Sequence, residues 1–109
     1  MTETRRQKIE SMLKDEPDDV FLRYSLALEM EAAGEWESGL EILEALARGT
    51  PPYVPAFQMA GQQLIQRERF AEARRSLREG IEEARRQGNT HAAGEMSELL
   101  MQLGEAGGD

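Results

Sequence analysis

The chain has 109 residues, no cysteine, and 21 acidic against 13 basic side chains, for a formal net charge of −8. That length suits one domain whose apolar core needs no metal or disulfide support, and the missing cysteines exclude a disulfide framework, a thiol nucleophile and a cysteine metal site. The acidic excess argues against nucleic acid, whose phosphates are held by clustered Lys and Arg, and against anionic membrane surfaces.

Residues 4–15 read as an N-terminal helix, with Ile9, Met12 and Leu13 at i, i+3 and i+4. Pro17 ends it and biases Glu16 away from the α region. Asp18 or Asp19 can cap a second helix over about 19–33, whose apolar residues cover more than one face, as in a helix packed on two sides. Gly34 suits a left-handed residue after the helix. A third helix spans about 36–48, with Trp36, Gly39, Leu40, Leu43, Leu46 and Ala47 on one side and Glu37, Glu41, Glu44 and Arg48 opposite. Gly49, Thr50, Pro51 and Pro52 break the chain.

A fourth helix follows over about 53–67, with Pro55 tolerated in its first turn. A fifth covers about 69–87, with Phe70, Ala73, Leu77, Gly80, Ile81 and Ala84 on one stripe. Gly88 closes it, and Asn89 or Thr90 can cap a last helix over 89–103. There Ala92, Met96, Leu99, Leu100 and Leu103 share a side. The tail 105–109, EAGGD, is expected to be disordered. No segment alternates with period two, so an all-α protein of six helices is predicted.

An internal repeat organises these helices. At an offset of 34 residues, Trp36 maps onto Phe70, Gly39 onto Ala73, Leu43 onto Leu77, Ala27 onto Gly61 and Met30 onto Leu64. A single helix hairpin cannot bury its apolar side alone, so neighbouring hairpins must stack. Small residues (Ala27, Gly39, Gly61, Ala73) permit close crossing, and large ones (Trp36, Leu43, Phe70, Leu77) fill the space between units.

These residues resemble the tetratricopeptide repeat family. Leu26, Ala27, Met30, Gly34, Trp36, Gly39, Leu43 and Pro51 carry the pattern in a first repeat, 18–51. Phe57, Gly61, Leu64, Phe70, Ala73, Leu77 and Gly80 carry it in a second, 52–87. With the N-terminal helix and a C-terminal capping helix, the resemblance predicts a single domain over 1–104, built as a short α-solenoid of antiparallel helix-turn-helix repeats. The chain departs from the pattern at three places: Arg23 at an aromatic position, Glu68 at a turn glycine and Arg85 at the closing proline.

Charge is unevenly placed. Glu29, Glu31, Glu35, Glu37, Glu41 and Glu44 follow one another with no basic residue between them, whereas residues 67–86 hold seven Arg against five Glu. Two solvated helix faces are the expected outcome, with steering of a partner as the alternative. The first ten residues, MTETRRQKIE, lack the apolar stretch of a secretory signal, and no run approaches the roughly 18 apolar residues of a membrane span. A cytoplasmic protein is therefore expected.

The sequence assembles no catalytic constellation. It has no phosphate loop, no HExxH and no acidic calcium loop, and its one histidine, His91, stands near a helix start. No enzyme, no cofactor and no metal are expected. The resemblance implies instead an interaction module, whose first helices line a concave face that binds a peptide or protein partner. Phe21, Tyr24, Leu28 and Glu31 would line it in the first repeat, Gln58, Gln62 and Ile65 in the second, and Ala92 and Met96 on the last helix would form its far wall. Some members of the family grip a C-terminal carboxylate with cationic side chains. The corresponding positions here are Tyr24, Leu28 and Met59, so that specialised grip is not expected. The rival expectation is weak self-association as a homodimer through the last helix, or service as a subunit of a larger assembly.

Overall fold

A computed structural model of the chain describes the backbone of residues 2–107 and the side chains of residues 2–104. Six helices follow in order: α1 (Arg5–Asp15), α2 (Val20–Ala32), α3 (Trp36–Ala47), α4 (Val54–Gln66), α5 (Phe70–Arg86) and α6 (Thr90–Gly107). No strand occurs among the described residues. None of the described helices is long and apolar enough to cross a membrane.

Local chemistry sets most of the boundaries. Thr4 and Gln7 form a reciprocal capping box at the start of α1. Asp19 caps α2 by accepting a hydrogen bond from the Leu22 N–H at 2.9 Å, and Asn89 caps α6 by accepting from the Ala92 N–H at 3.1 Å. The start of α3 and that of α5 have no such side-chain cap. Each begins immediately after a turn that ends the preceding helix.

Those turns repeat one design. After α2, the Gly34 N–H bonds to the Glu31 carbonyl and the Glu35 N–H to the Met30 carbonyl, with Gly34 at φ +86°. After α4, the Glu68 N–H bonds to the Ile65 carbonyl and the Arg69 N–H to the Leu64 carbonyl. After α5, Gly88 and Asn89 bond in the same way to Arg85 and Ala84. This is the Schellman arrangement, which satisfies orphan carbonyls by placing one residue in the left-handed region. Glycine fills that place in two of the turns. In the middle one a glutamate does, at φ +58°.

Each helix packs on the one before it and the one after it, and α4 also touches α6. The described chain is elongated, 49 × 30 × 19 Å. Repeat-equivalent residues hold equivalent places. Leu43 and Leu77 are both fully buried, while Trp36 and Phe70 each open a helix and pack half-buried against the core. Full burial of one such leucine contributes about 1.5–3 kcal/mol of transfer free energy. The close crossings fall at the small residues: a Cβ on Gly39 would lie 2.8 Å from the Ala27 carbonyl oxygen, and one on Gly61 would lie 2.7 Å from Leu77 Cδ2.

Much of the acidic run is neutralised within the chain. Arg5 meets Glu29 at 3.3 Å, Arg6 meets Glu35 at 2.7 Å, and Arg67 meets Glu31 at 3.7 Å. The Arg6 pair is a two-pronged contact, with a second hydrogen bond of 3.1 Å, and it holds the Glu35 carboxyl below the usual carboxylate range. The guanidinium of Arg67 also lies 4.5 Å from the Trp36 ring centroid, and that of Arg69 lies 5.2 Å from it. The basic end of α4 therefore holds the acidic end of α2 and the first residue of α3 together.

The expected disordered tail is corrected in part. Helix α6 does not stop at residue 103 but continues through Gly107, because no proline or capping residue intervenes and each added residue gains a backbone hydrogen bond. Gly108 and Asp109, the rest of that tail, lie outside the described residues.

Candidate functional site

The first helical turns of α4 and α6 and the middle of α2 surround a hollow of about 260 Å³. Pro55, Gln58, Met59 and Gln62 come to it from α4, Tyr24 from α2, and Ala92 and Glu95 from α6. The four α4 residues fall at i, i+3, i+4 and i+7, so they form a single helix face. Val54 and Asn89 complete the lining.

The polar groups here are little used inside the chain. The carboxamides of Gln58 and Gln62 make no hydrogen bond to another described residue. Each keeps two N–H donors and a carbonyl acceptor. Asn89 spends its carbonyl oxygen on the α6 cap. Tyr24 stands edge-on to Tyr53, with ring centroids 5.5 Å apart and planes at 72°. Burial, and secondarily Tyr53, push the Tyr24 hydroxyl above its ordinary value, so it stays a neutral donor at physiological pH. Glu95 brings a carboxylate to this hollow, and among the described residues its one ion-pair contact is with the exposed His91, 3.5 Å from His91 Nε2.

Four of the residues expected to line the groove, Tyr24, Gln58, Gln62 and Ala92, line this hollow together. Phe21 stands outside it and is 64% exposed. Leu28 and Ile65 are half-buried and do not line it. Glu31 is engaged by Arg67. Met96 is corrected outright: it is among the fully buried side chains and offers no surface to a partner. The reason is Gly80, where a Cβ would fall 2.6 Å from Met96 Sδ and 2.5 Å from Phe57 Cβ. Met96 occupies the space that the missing side chain leaves. The residues that sequence reasoning missed are Pro55, Met59, Asn89 and Glu95. The stripe 55, 58, 59 and 62 could have supplied the first two, had it been read toward the N-terminus of α4 rather than toward Ile65.

Two other hollows lie near this one. One of about 470 Å³ is lined by Val20, Arg23, Leu46 and the turn from Gly49 to Tyr53, and shares Val54, Pro55 and Asn89 with the first. The other, about 410 Å³, lies between α3 and α5. Its floor includes Phe57, Ala60 and Leu64, and its rim is charged. That rim is partly cross-linked: Arg86 bonds to Glu83, and Gln87 bridges Glu83 and the Pro52 carbonyl.

No protein-family model matches the chain, and no curated protein matches it. The fold is similar to the solution structure of protein BPP2914 from Bordetella parapertussis, with a TM-score of 0.80 and 23% sequence identity over 96% of this chain and 91% of that one. At that identity the likeness establishes the shared all-helical architecture.

Proposed function

We propose that this chain is a tetratricopeptide-repeat-like interaction module, which binds an extended segment of a partner protein in the hollow between α2, α4 and α6 and performs no chemistry of its own. The observation that carries the reading is the convergence of Tyr24, Gln58 and Gln62, with unspent donors and acceptors, beside the apolar surface of Pro55, Met59 and Ala92. Gln58 and Gln62 are one helical turn apart, about 6 Å along the axis. Like-facing groups on an extended chain recur every two residues, about 6.6–6.8 Å. Two carboxamides at this spacing can serve alternate backbone groups of one bound strand. Tyrosine adds flat apolar area with a polar tip, which suits recognition surfaces.

The self-association alternative has less support. The exposed positions of α6 include Thr90, His91, Gly94, Glu95, Glu98 and Gln102, as a terminal capping element requires. Met101, at 71% exposure, is the large apolar exception. A cytoplasmic setting remains the companion expectation, from the cysteine-free composition.

The test is a selection of eight-residue peptides from a random displayed library on the immobilised protein, followed by amide NMR of the complex. Retained peptides should shift resonances of α2, α4 and α6 around Tyr24, Gln58 and Gln62. Tyr24→Ala together with Gln62→Leu should weaken binding by about tenfold or more without loss of fold. Shifts confined to the α3–α5 side, or binding that ignores both substitutions, would refute the assignment.

A further inference from the structure

The two hollows share Val54, Pro55 and Asn89 in their linings, so they adjoin as a trough over the first turn of α4. Their charges differ in sign. The hollow beside the α3–α4 turn contains one ionisable cation, Arg23, among otherwise apolar and uncharged polar residues. The hollow beside α6 contains one ionisable anion, Glu95. Arg23 is half-buried and has no ion-pair partner among the described residues. It is also the residue standing where the repeat pattern would have an aromatic.

We infer that the trough reads charge direction: it accepts an extended polypeptide segment with an acidic residue against Arg23, apolar residues across Val54 and Pro55, and a basic residue against Glu95. The inference rests on the peptide-binding reading and adds polarity to it. A single cation at one end and a single carboxylate at the other, the latter touched by the exposed His91, favour one orientation of a dipolar segment and disfavour its reverse. The reach fits a short segment. Tyr53 and Gln62, which mark the two ends along α4, are separated by about 13 Å of helix axis. About four extended residues cover that length.

The experiment is the same random eight-residue library, selected in parallel on wild type, Arg23→Glu and Glu95→Lys, with position-specific sequencing of the retained peptides. Both substitutions are at solvent-accessible positions, and an unchanged thermal midpoint verifies the fold. Wild type should enrich Asp or Glu at a fixed spacing from Lys or Arg, in one order along the chain. Arg23→Glu should invert the preference at the acidic end, by about fivefold, and leave the other end unchanged. Glu95→Lys should do the converse. Peptides that bind at Gln58 and Gln62 without any charge preference, or a preference that both substitutions leave intact, overturn this inference alone. Retention of no peptide at all overturns the peptide-binding reading and the inference with it.

Discussion

The middle Schellman turn offers a sharp test of how this fold is held. Glu68 occupies the left-handed place at φ +58°, where the turns on either side have Gly34 and Gly88. For an L-residue with a Cβ that conformation costs about 1–2 kcal/mol, through the approach of Cβ to the following carbonyl oxygen. Glycine removes this cost but adds about 0.4–1 kcal/mol of unfolded-chain entropy. The Glu68 side chain is exposed and makes no ion pair or hydrogen bond to a described residue, so its removal breaks no contact. Glu68→Gly is therefore expected to stabilise the domain by about 0.5–1 kcal/mol, and to raise the thermal midpoint by about 2–8 °C. Two controls separate backbone strain from charge. Glu68→Ala keeps the Cβ and should stay within about 0.5 kcal/mol of wild type. Gly34→Ala puts a Cβ into the equivalent turn and should destabilise by about 1 kcal/mol. Circular dichroism with urea and thermal unfolding reads all three. If Glu68→Gly is neutral or destabilising, or if Glu68→Ala gains as much as Glu68→Gly, strain at this turn is not the operative term.

Further substitutions probe the crossings, the core and the surface pairs. Gly39→Ala would push a Cβ to 2.8 Å from the Ala27 carbonyl oxygen, a backbone atom that cannot swing aside. The clash should exceed the helix-propensity gain of about 1 kcal/mol and leave a net loss of about 1–2 kcal/mol in urea unfolding. Met96→Ala should lose about 2–4 kcal/mol, against less than about 1.5 kcal/mol for Met96→Leu, and the surviving folded fraction should keep its peptide affinity, because Met96 is core and not lining. Glu35 is held below its ordinary value of 4.5 by the hydrogen bond from Arg6. A depressed carboxyl contributes stability above its unfolded pKa and loses it as pH falls through the lower folded value. The advantage of wild type over Glu35→Gln should therefore be present above about pH 4.5, fade below it, and shrink in high salt, as read by thermal midpoints across a pH series.

What the sequence could convey depended on whether a residue's role was set by its own helix or by another. The 34-residue offset identified equivalent places because small residues at crossings and large ones between helices are demanded by geometry that recurs in each hairpin. Leu43 and Leu77 are both buried without remainder, and Trp36 and Phe70 each open a helix. Caps were legible for the same reason: Asp19 and Asn89 act on backbone groups three residues away. Glu68 was visible as a departure, but not its consequence. The turn forms there because the Leu64 and Ile65 carbonyls are satisfied and Phe70 packs against the core, and that tertiary gain outweighs a local preference for glycine. The end of α6 failed for the opposite reason. Glycine-rich composition suggested a tail, yet nothing in the sequence actively stops the helix before Gly107.

The site was legible only as a face. The family resemblance together with helical spacing gave Tyr24, Gln58 and Gln62, but it could not separate Met96 from them, since the fate of Met96 is decided by a glycine on a different helix. The clue was present in Gly80, whose missing side chain leaves space that only a long, flexible residue on a neighbouring element can fill. The acidic run teaches a complementary point. Six glutamates without an intervening cation look like a field that could draw in a basic partner, but three of them are met by arginines from α1 and the end of α4. Counting charges along a segment overstates what the surface offers when the partners come from outside that segment. Arg23, with no ion-pair partner among the described residues, and Glu95, which meets His91, are inconspicuous in the sequence because each is the single such charge in its hollow. A single charge beside uncharged hydrogen-bonding groups can specify a ligand more sharply than a dense mixed-sign surface, because fewer neighbours compete for it.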